Sequence, residues 1–291
     1  MSRLSGAAST ARRIGATLRE VASSLSGAVG LVLVAAVLIA ALFAPWIATH
    51  DPDKLDVLNR FSGPSASHWL GTDHLGRDLY SRLVHGSRVA MIVAVSAITI
   101  ALVIGTYLGI VMALAGKGWE RVVLVLFDVV SSFPSLVLAL AVVAIFGPST
   151  LLVVIVVAVT LIPHFGRVAR AQVLTLKSAP FIEAERLLGA STTRIVVSHL
   201  LPNISGPLVV LASMDIPSVI TIEAGLSFLG LGVRPPFASW GTLINDGYTY
   251  LSDSLIPVTI ASAALGLATL GFTLFGEALR DAVDPRSKQG H

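Results

Sequence analysis

The sequence has no cysteine among its 291 residues, and Asp, Glu, Lys and Arg together make up only 13% of it. The first absence excludes disulfides, thiolate metal sites and cysteine catalysis, though it leaves the redox compartment open. The second excludes a folded soluble domain, in which about a quarter of residues are charged. Also missing is a Gly-x-x-x-x-Gly-Lys-Ser/Thr run, the loop that cradles nucleotide phosphates, so no nucleotide hydrolysis of that kind is expected of this chain. No basic block reads as a nucleic-acid surface, there is no tract of low complexity, and no period of 20–50 residues repeats clearly. His50, His68, His74, His85, His164 and His199 do not recur at the spacing that puts two ligands and an acid on one helix face, so no metal site is expected.

What is present is apolar. Hydrophobic residues make up 54% of the chain, and the mean hydropathy is +0.83. A membrane-spanning helix needs roughly 20 apolar residues. Uncharged stretches of that kind run over Gly27–Thr49, Val89–Gly116 and Ser254–Gly276, and an apolar stretch interrupted by Asp215 over about Pro207–Ile222. Between Val122 and Gly166 only Asp128 is formally charged; the stretch is too long for one crossing, and Phe146-Gly147-Pro148-Ser149 is a turn signal that splits it in two. The expectation is an all-α integral membrane protein with six transmembrane helices. Arg3, Arg12, Arg13 and Arg19 precede the first stretch in the charge order of a signal peptide. Its apolar run is long, however, and Pro45-Trp46-Ile47 stands where a small-residue cleavage site would be, so it reads as a retained helix.

Lys and Arg set the orientation, because they accumulate on the cytoplasmic side. With the N-terminus inside, 14 of the 20 basic residues fall on inside segments. Lys54, Arg60, Arg77, Arg82, Arg88 and Arg234 fall outside. The expected organisation is N-in/C-in. It comprises a cytoplasmic tail (1–26), a first spanning helix (27–49), an extracytoplasmic segment (50–88), a core of five spanning helices (89–281) and a short cytoplasmic tail (282–291). Two irregular segments are long enough to carry function: the outer one, and an inner one between the fourth and fifth helices.

In the inner segment, Pro180 suits the first turn of a helix and Glu183 lies where the helix dipole favours an acid. Phe181, Ala184 and Leu188 fall on one face, with Glu183 and Arg186 on another. Gly189 is placed to stop this helix; Ser191 or Thr192 can cap a second, and Pro202 is expected to end it. Such a polar, rigid knuckle fits a partner's groove, or merely packs on the bundle; physics alone leaves both open.

Glu183-Ala184, Gly189 and Leu201-Pro202 closely resemble the Glu-Ala-Ala loop of bacterial ABC-importer permeases, with departures at Glu185, where Ala is usual, and His199, where Ile is usual. Gly71-Thr-Asp-His-Leu-Gly-Arg-Asp-Leu-Tyr-Ser-Arg82 with Gly86-Ser-Arg88, and Glu223-Ala-Gly-Leu-Ser-Phe-Leu-Gly-Leu-Gly232 with Pro235-Pro236 and Ser239-Trp240-Gly241, resemble signatures of the dipeptide/oligopeptide/nickel permeases, in particular the C-type subunit. The resemblance implies a type I ABC-importer permease fold in the bacterial inner membrane. It implies a coupling loop over 178–203 (Phe181, Glu183, Ala184, Glu185, Arg186, Gly189, Ala190, His199, Leu201, Pro202) seated in an ATPase cleft, with Glu185 answered by a basic residue of that partner. The implied partners are a second, B-type permease, one or two ATPase subunits that hold the ATP and Mg, and an extracytoplasmic substrate-binding protein. No cofactor is expected on this chain. Peptide, glutathione and nickel importers share these motifs.

Asp73, Arg77, Asp78, Arg82 and Arg88 read as a charged, amphipathic outer element at the membrane interface, with Asp78 and Arg82 spaced to pair on a helix; the alternative is an anchor with no partner. The Gly- and Pro-rich loop within 223–252, with Phe228 and Trp240, reads as a lid folded back over the bundle, or as a structural cap. Asp128, Asp215 and Glu223 are costly in lipid and are expected to face the interior, water or a cation. With Ser131, and with Pro134 and Pro163 as candidate helix breaks, they mark either a pathway or interhelical hydrogen bonds. Two competing classes follow. An intramembrane aspartyl protease would use Asp128 and Asp215 as a pair, although their surroundings lack that family's signatures. An ion-coupled transporter would show inverted repeats, and none is evident.

Overall fold

The computed structural model describes residues 15–234 and 236–283. Arg3, Arg12, Arg13, Pro235, Arg286 and Lys288 lie outside the described residues. The regular elements described are helices: α1 Leu25–Ile47, α2 Leu79–Leu114, α3 Lys117–Ser131, α4 Ser135–Phe146, α5 Thr150–Leu176, α6 Pro180–Leu187, α7 Thr192–Phe228, α8 Trp240–Thr249 and α9 Ile256–Val283. Five of them (α1, α2, α5, α7 and α9) are long and apolar enough to cross a membrane. The α3–α4 pair passes the same test only as one element bent by 81° at its break, so the crossings number five, or six with the pair taken as one span.

Four boundaries differ from the expected ones, each for a local reason. Helix α2 starts at Leu79, not Val89, because the Asp78 carboxylate caps it by accepting from the Ser81 amide. The 122–166 stretch breaks twice, at Phe133-Pro134 as well as at 146–149, since Pro134 has no amide to continue α3. Pro202 does not end the short helix of the inner segment. A π turn at Val196–Leu200 widens the backbone and carries it into the long apolar helix, where Pro207 and Pro217 also sit. Finally, α9 runs on to Val283. Pro163 lies inside α5 without ending it.

Small residues decide how the helices meet. Lipid gives apolar side chains no reason to leave it, so close backbone approach and van der Waals contact hold a membrane bundle together. Gly105 and Gly109, one turn apart on α2, lie on α5: a Cβ at Gly105 would come within 2.7 Å of the Ile162 carbonyl, and one at Gly109 within 2.5 Å of the Gly166 carbonyl. Helix α1 runs along α9 by the same device, with Gly27 beside Ala278, Gly30 beside Phe275 and Gly271 beneath Leu33. The start of α1 and the end of α9 therefore lie at one end of the bundle. The α5 end joins the α2 end through Lys177, whose Nζ donates to the Ala113 carbonyl. The outward face of α1 is left apolar and uncovered, with Val32, Leu42 and Trp46 exposed, as a lipid-facing helix requires.

Candidate functional site

Three regions hold the residues singled out above. The first is the inner knuckle. Pro180 opens α6, Glu183 stands in its first turn and Arg186 in its last. Gly189 turns the chain with φ of 80°, which an L side chain adopts only with strain. The Ser191 hydroxyl then accepts from the Arg194 amide to start α7. Ile182 is the side chain α6 buries. Phe181, Leu187 and Leu188 are exposed, Leu187 at 89% and Leu188 at 84%. The knuckle seats itself on Ile182 and presents Phe181, Leu187 and Leu188 outward. Glu183, Ala184 and Arg186 are exposed with them, as are Leu201 and Pro202, while Ala190 is half-buried. Glu185 has a partner within the chain: His199 Nε2 lies 3.5 Å from its carboxylate, and the Phe181 ring stands 6.2 Å from the same imidazole.

The second region is a polar strip on α5. Arg167 donates to the Asp128 carboxylate at 2.8 Å and lies 3.4 Å from the Ser131 hydroxyl. His164 lies 3.8 Å from Asp215 of α7. Arg170 pairs with Glu120. Each of the two aspartates has its own basic partner, an arrangement unlike two acids sharing one water. Nothing in the uncharged runs revealed His164 and Arg167 as those partners; acids at that depth require one. A separate apolar groove of about 750 Å³ runs between α2 and α7, lined by residues including Tyr107, Thr106, Thr192 and Ser205. None of the expected pathway residues lines it.

The third region is the outer layer, and here the expectation of an exposed charged element is corrected. Asp73, Arg77, Asp78 and Arg82 are buried, Arg82 to 2%; Arg88 is exposed and lies apart. Burying them requires saturating them. Asp73 accepts from the Leu75 and Arg77 amides and from Arg77 Nε at 2.6 Å. Arg77 Nη2 donates to Asp246 of α8 at 3.1 Å. Arg82 donates to the Pro52 carbonyl and stands 3.5 Å from both Asp53 and Asp73. Asp78 and Arg82 do not pair; Asp78 is taken by Ser81 and by His68 at 2.9 Å. Burial pushes its carboxyl up, but hydrogen bonds from the Ser81 hydroxyl, His68 and the Ser81 amide together hold it below the usual range. His74 is pushed down from the ordinary imidazole value, chiefly by burial. It stacks on Tyr250, with ring centroids 4.6 Å apart.

The same layer receives the second signature. Trp240 is buried, its Nε1 donating to the Leu83 carbonyl at 3.0 Å. Gly86 leaves room for its ring: a Cβ there would stand 2.7 Å from Trp240 Cδ1. Glu223 is buried and accepts from Ser227 at 2.7 Å. Phe228 packs edge-on to Tyr248, and its carbonyl accepts from Asn245. So the 223–252 segment does fold back over the bundle, and the two outer signatures, far apart in sequence, form one packed unit. The histidines, scattered in sequence, also gather here: His50 and His68 with Asp78, and His74 with Asp73 and Asp246. The reading of their spacing is corrected to that extent.

Residues 105–289 match the family described as binding-protein-dependent transport system inner membrane component. The chain belongs to that family. Residues 26–64 match the N-terminal TM domain of oligopeptide transport permease C, which agrees with the C-type resemblance. The chain is 37% identical to the dipeptide transport system permease protein DppC of Alkalihalophilus pseudofirmus, over 89% of this chain and 86% of that protein. It is 38% identical to the glutathione transport system permease protein GsiD of Escherichia coli, over 86% of this chain and 83% of that one. Among solved structures, a chain of the MetNI methionine ABC transporter in inward-facing form aligns with a TM-score of 0.57 at 18% identity. The alignment covers 70% of this chain and 96% of that one. The fold is thus that of a type I ABC-importer permease, preceded here by α1 and the outer segment.

Proposed function

We propose that the chain is one of two membrane-spanning subunits of an ATP-driven importer of di- and oligopeptides in a bacterial inner membrane. A second, B-type permease supplies the other half of the pathway, and an extracytoplasmic binding protein delivers substrate to the outer layer. One or two ATPase subunits, which hold the ATP and Mg, engage the knuckle from inside; the chain itself carries no catalysis. The observation that carries this reading is the knuckle. Two adjacent leucines stand almost fully in solvent on a short helix anchored through Ile182, and a rigid turn joins them to α7. An exposed apolar edge on a stiff element is the form of a docking surface. Pressure on it passes through the π turn into the helix that carries Asp215 and Glu223. The Asp128–Arg167 ion pair and the polar Asp215–His164 contact sit where lipid would penalise them, which supports a wet path beside α5. With the knuckle inside, both ends of the described bundle are inside as well, in keeping with the distribution of Lys and Arg.

Co-purification from native membranes tests the reading. The unaltered chain is expected to bring an ATPase subunit with it. Leu187→Asp/Leu188→Asp, which changes only exposed side chains, is expected to lose that subunit while the chain stays folded. Retention of the ATPase by the double variant overturns the docking assignment. ATP-dependent uptake of dipeptide into vesicles, measured against glutathione and nickel, then fixes the substrate.

A further inference from the structure

The outer layer holds a side-chain cluster that the transport reading does not use. His50 follows the end of α1, His68 lies in the outer loop, and Asp78 caps α2. Their ligand atoms all fall within 4.8 Å of one another. His68 Nδ1 is 2.9 Å from Asp78 Oδ1, and His50 Nδ1 is 3.9 Å from the same oxygen. The two imidazoles lie face to face, with centroids 4.7 Å apart at 30°. The carboxylate is 1% exposed, the imidazoles 17% and 35%. Its other oxygen, Oδ2, is fixed by the Ser81 amide and hydroxyl and by Thr49. Oδ1 is thereby aimed at the histidines by groups that a ligand would not displace, as supporting hydrogen bonds aim the carboxylates of metal centres.

A hydrogen bond from His68 to the helix cap explains His68. It does not explain why a second imidazole lies against the first with its Nδ1 3.9 Å from the same oxygen. For a cation held about 2.0–2.1 Å from each ligand, tetrahedral geometry separates the donor atoms by about 3.4 Å. The observed 2.9 and 3.9 Å bracket that separation. Closure requires the imidazoles to move and His50 Nδ1 to leave the Thr49 hydroxyl, 3.0 Å away. Two imidazoles and a carboxylate suit borderline transition metals and not magnesium or calcium, which take oxygen ligands. The neighbouring Asp73–His74–Asp246 group does not offer the same, because Arg77 already lies between its two acids.

We propose that His50, His68 and Asp78 bind a divalent transition-metal ion of the zinc–nickel class, which fastens the end of α1, the outer loop and the start of α2 to one another. The inference does not depend on the chain's transport role. The test uses the full chain without a polyhistidine tag, in detergent with whatever subunits accompany it, stripped with chelator and titrated with Co²⁺ as the optical probe and Zn²⁺ as competitor. One Co²⁺ per chain is expected, with visible absorption bleached by Zn²⁺. His50→Gln and His68→Gln are each expected to weaken binding by about 10–100-fold, whereas His74→Gln and His85→Gln leave it unchanged. Zn²⁺ should also slow proteolysis within residues 50–78 of the unaltered chain and not of the two variants. His50 is the most exposed of the three and makes no hydrogen bond that folding of the cap requires, so its variant carries the test should His68→Gln misfold. Binding that is absent, or equal in the unaltered chain and His50→Gln, overturns the proposal.

Discussion

Glu185 and His199 are the two positions at which the inner loop departs from the pattern it resembles, and their side chains lie 3.5 Å apart. A carboxylate placed on the docking helix by itself would await a cation from the partner; here an imidazole of the same chain stands next to it. Both groups are partly exposed, so the pair contributes only about 0–1 kcal/mol, and its effect lies in orienting the knuckle. Glu185→Ala and His199→Ile are each expected to weaken ATPase association by roughly two- to fivefold, the equilibrium equivalent of such a pair. The double variant should regain most of the loss, as graded-salt pull-downs would report. Additive losses would mean that the two residues act separately. A second residue-scale outcome concerns acid. His74 is held below the ordinary imidazole value by burial, helped by Arg77 and Arg82 and opposed by Asp246 and Asp73. Between its lowered value and the unfolded value of about 6.5, the unfolded chain binds the extra proton. Stability of the outer layer is therefore full above that window and falls as pH drops through it. Protection factors of 71–78 and 245–250, referred to the intrinsic exchange rate at each pH, should fall on acidification from pH 7, and His74→Gln should flatten that response.

Among the elements, the tightest constraint lies where α2 meets α5. Gly109→Leu would drive a side chain into the α5 backbone at Gly166, where even a Cβ stands 2.5 Å from a carbonyl. Overpacking of this kind costs about 1–3 kcal/mol, occasionally more. The variant is expected to lower the unfolding midpoint in detergent, whereas Gly118→Leu, in open space, should not. How much was legible follows the same division. Six crossings could be read because a span needs a long uncharged run, and the lid's return over the bundle because Trp240 and Phe228 have no place in water. The start of α2 could not, since Asp78 decides it through a hydrogen bond to Ser81, and composition does not register a cap. Nor could the burial of Arg77 and Arg82. Their spacing matches a solvated helix face, and only the arrival of Asp246, from beyond the last signature, converts them into an interior network. Pro202 misled for the opposite reason: its local signal to stop a helix is real, and the π turn absorbs it.

For the molecule as a whole, α7 links two units that differ in what holds them. At its outer end, the Ser227 hydroxyl accepts from the Val233 amide and the Phe228 carbonyl accepts from Asn245, which binds it to the lid, and the lid is bound to the outer loop through Asp246–Arg77 and Trp240–Leu83. At its inner end it passes through the π turn into a knuckle whose α6 buries a single side chain, Ile182. A transporter driven from inside needs this asymmetry: a stiff body outside and a movable handle inside, joined by one continuous helix. The two ends should then be separable by mutation. Arg77→Ala leaves Asp246 without its guanidinium and Asp73 with Arg82 alone, and breaking a buried pair costs about 3–5 kcal/mol, somewhat less here because Asp246 is partly exposed. Exchange protection over 71–78 and 240–249 is expected to fall in that variant while the ATPase still co-purifies. Leu187→Asp/Leu188→Asp is expected to do the reverse, releasing the ATPase with outer protection intact. A variant at either end that removes both properties together would mean that the chain moves as one rigid body, and that α7 transmits no motion relative to the rest of the bundle.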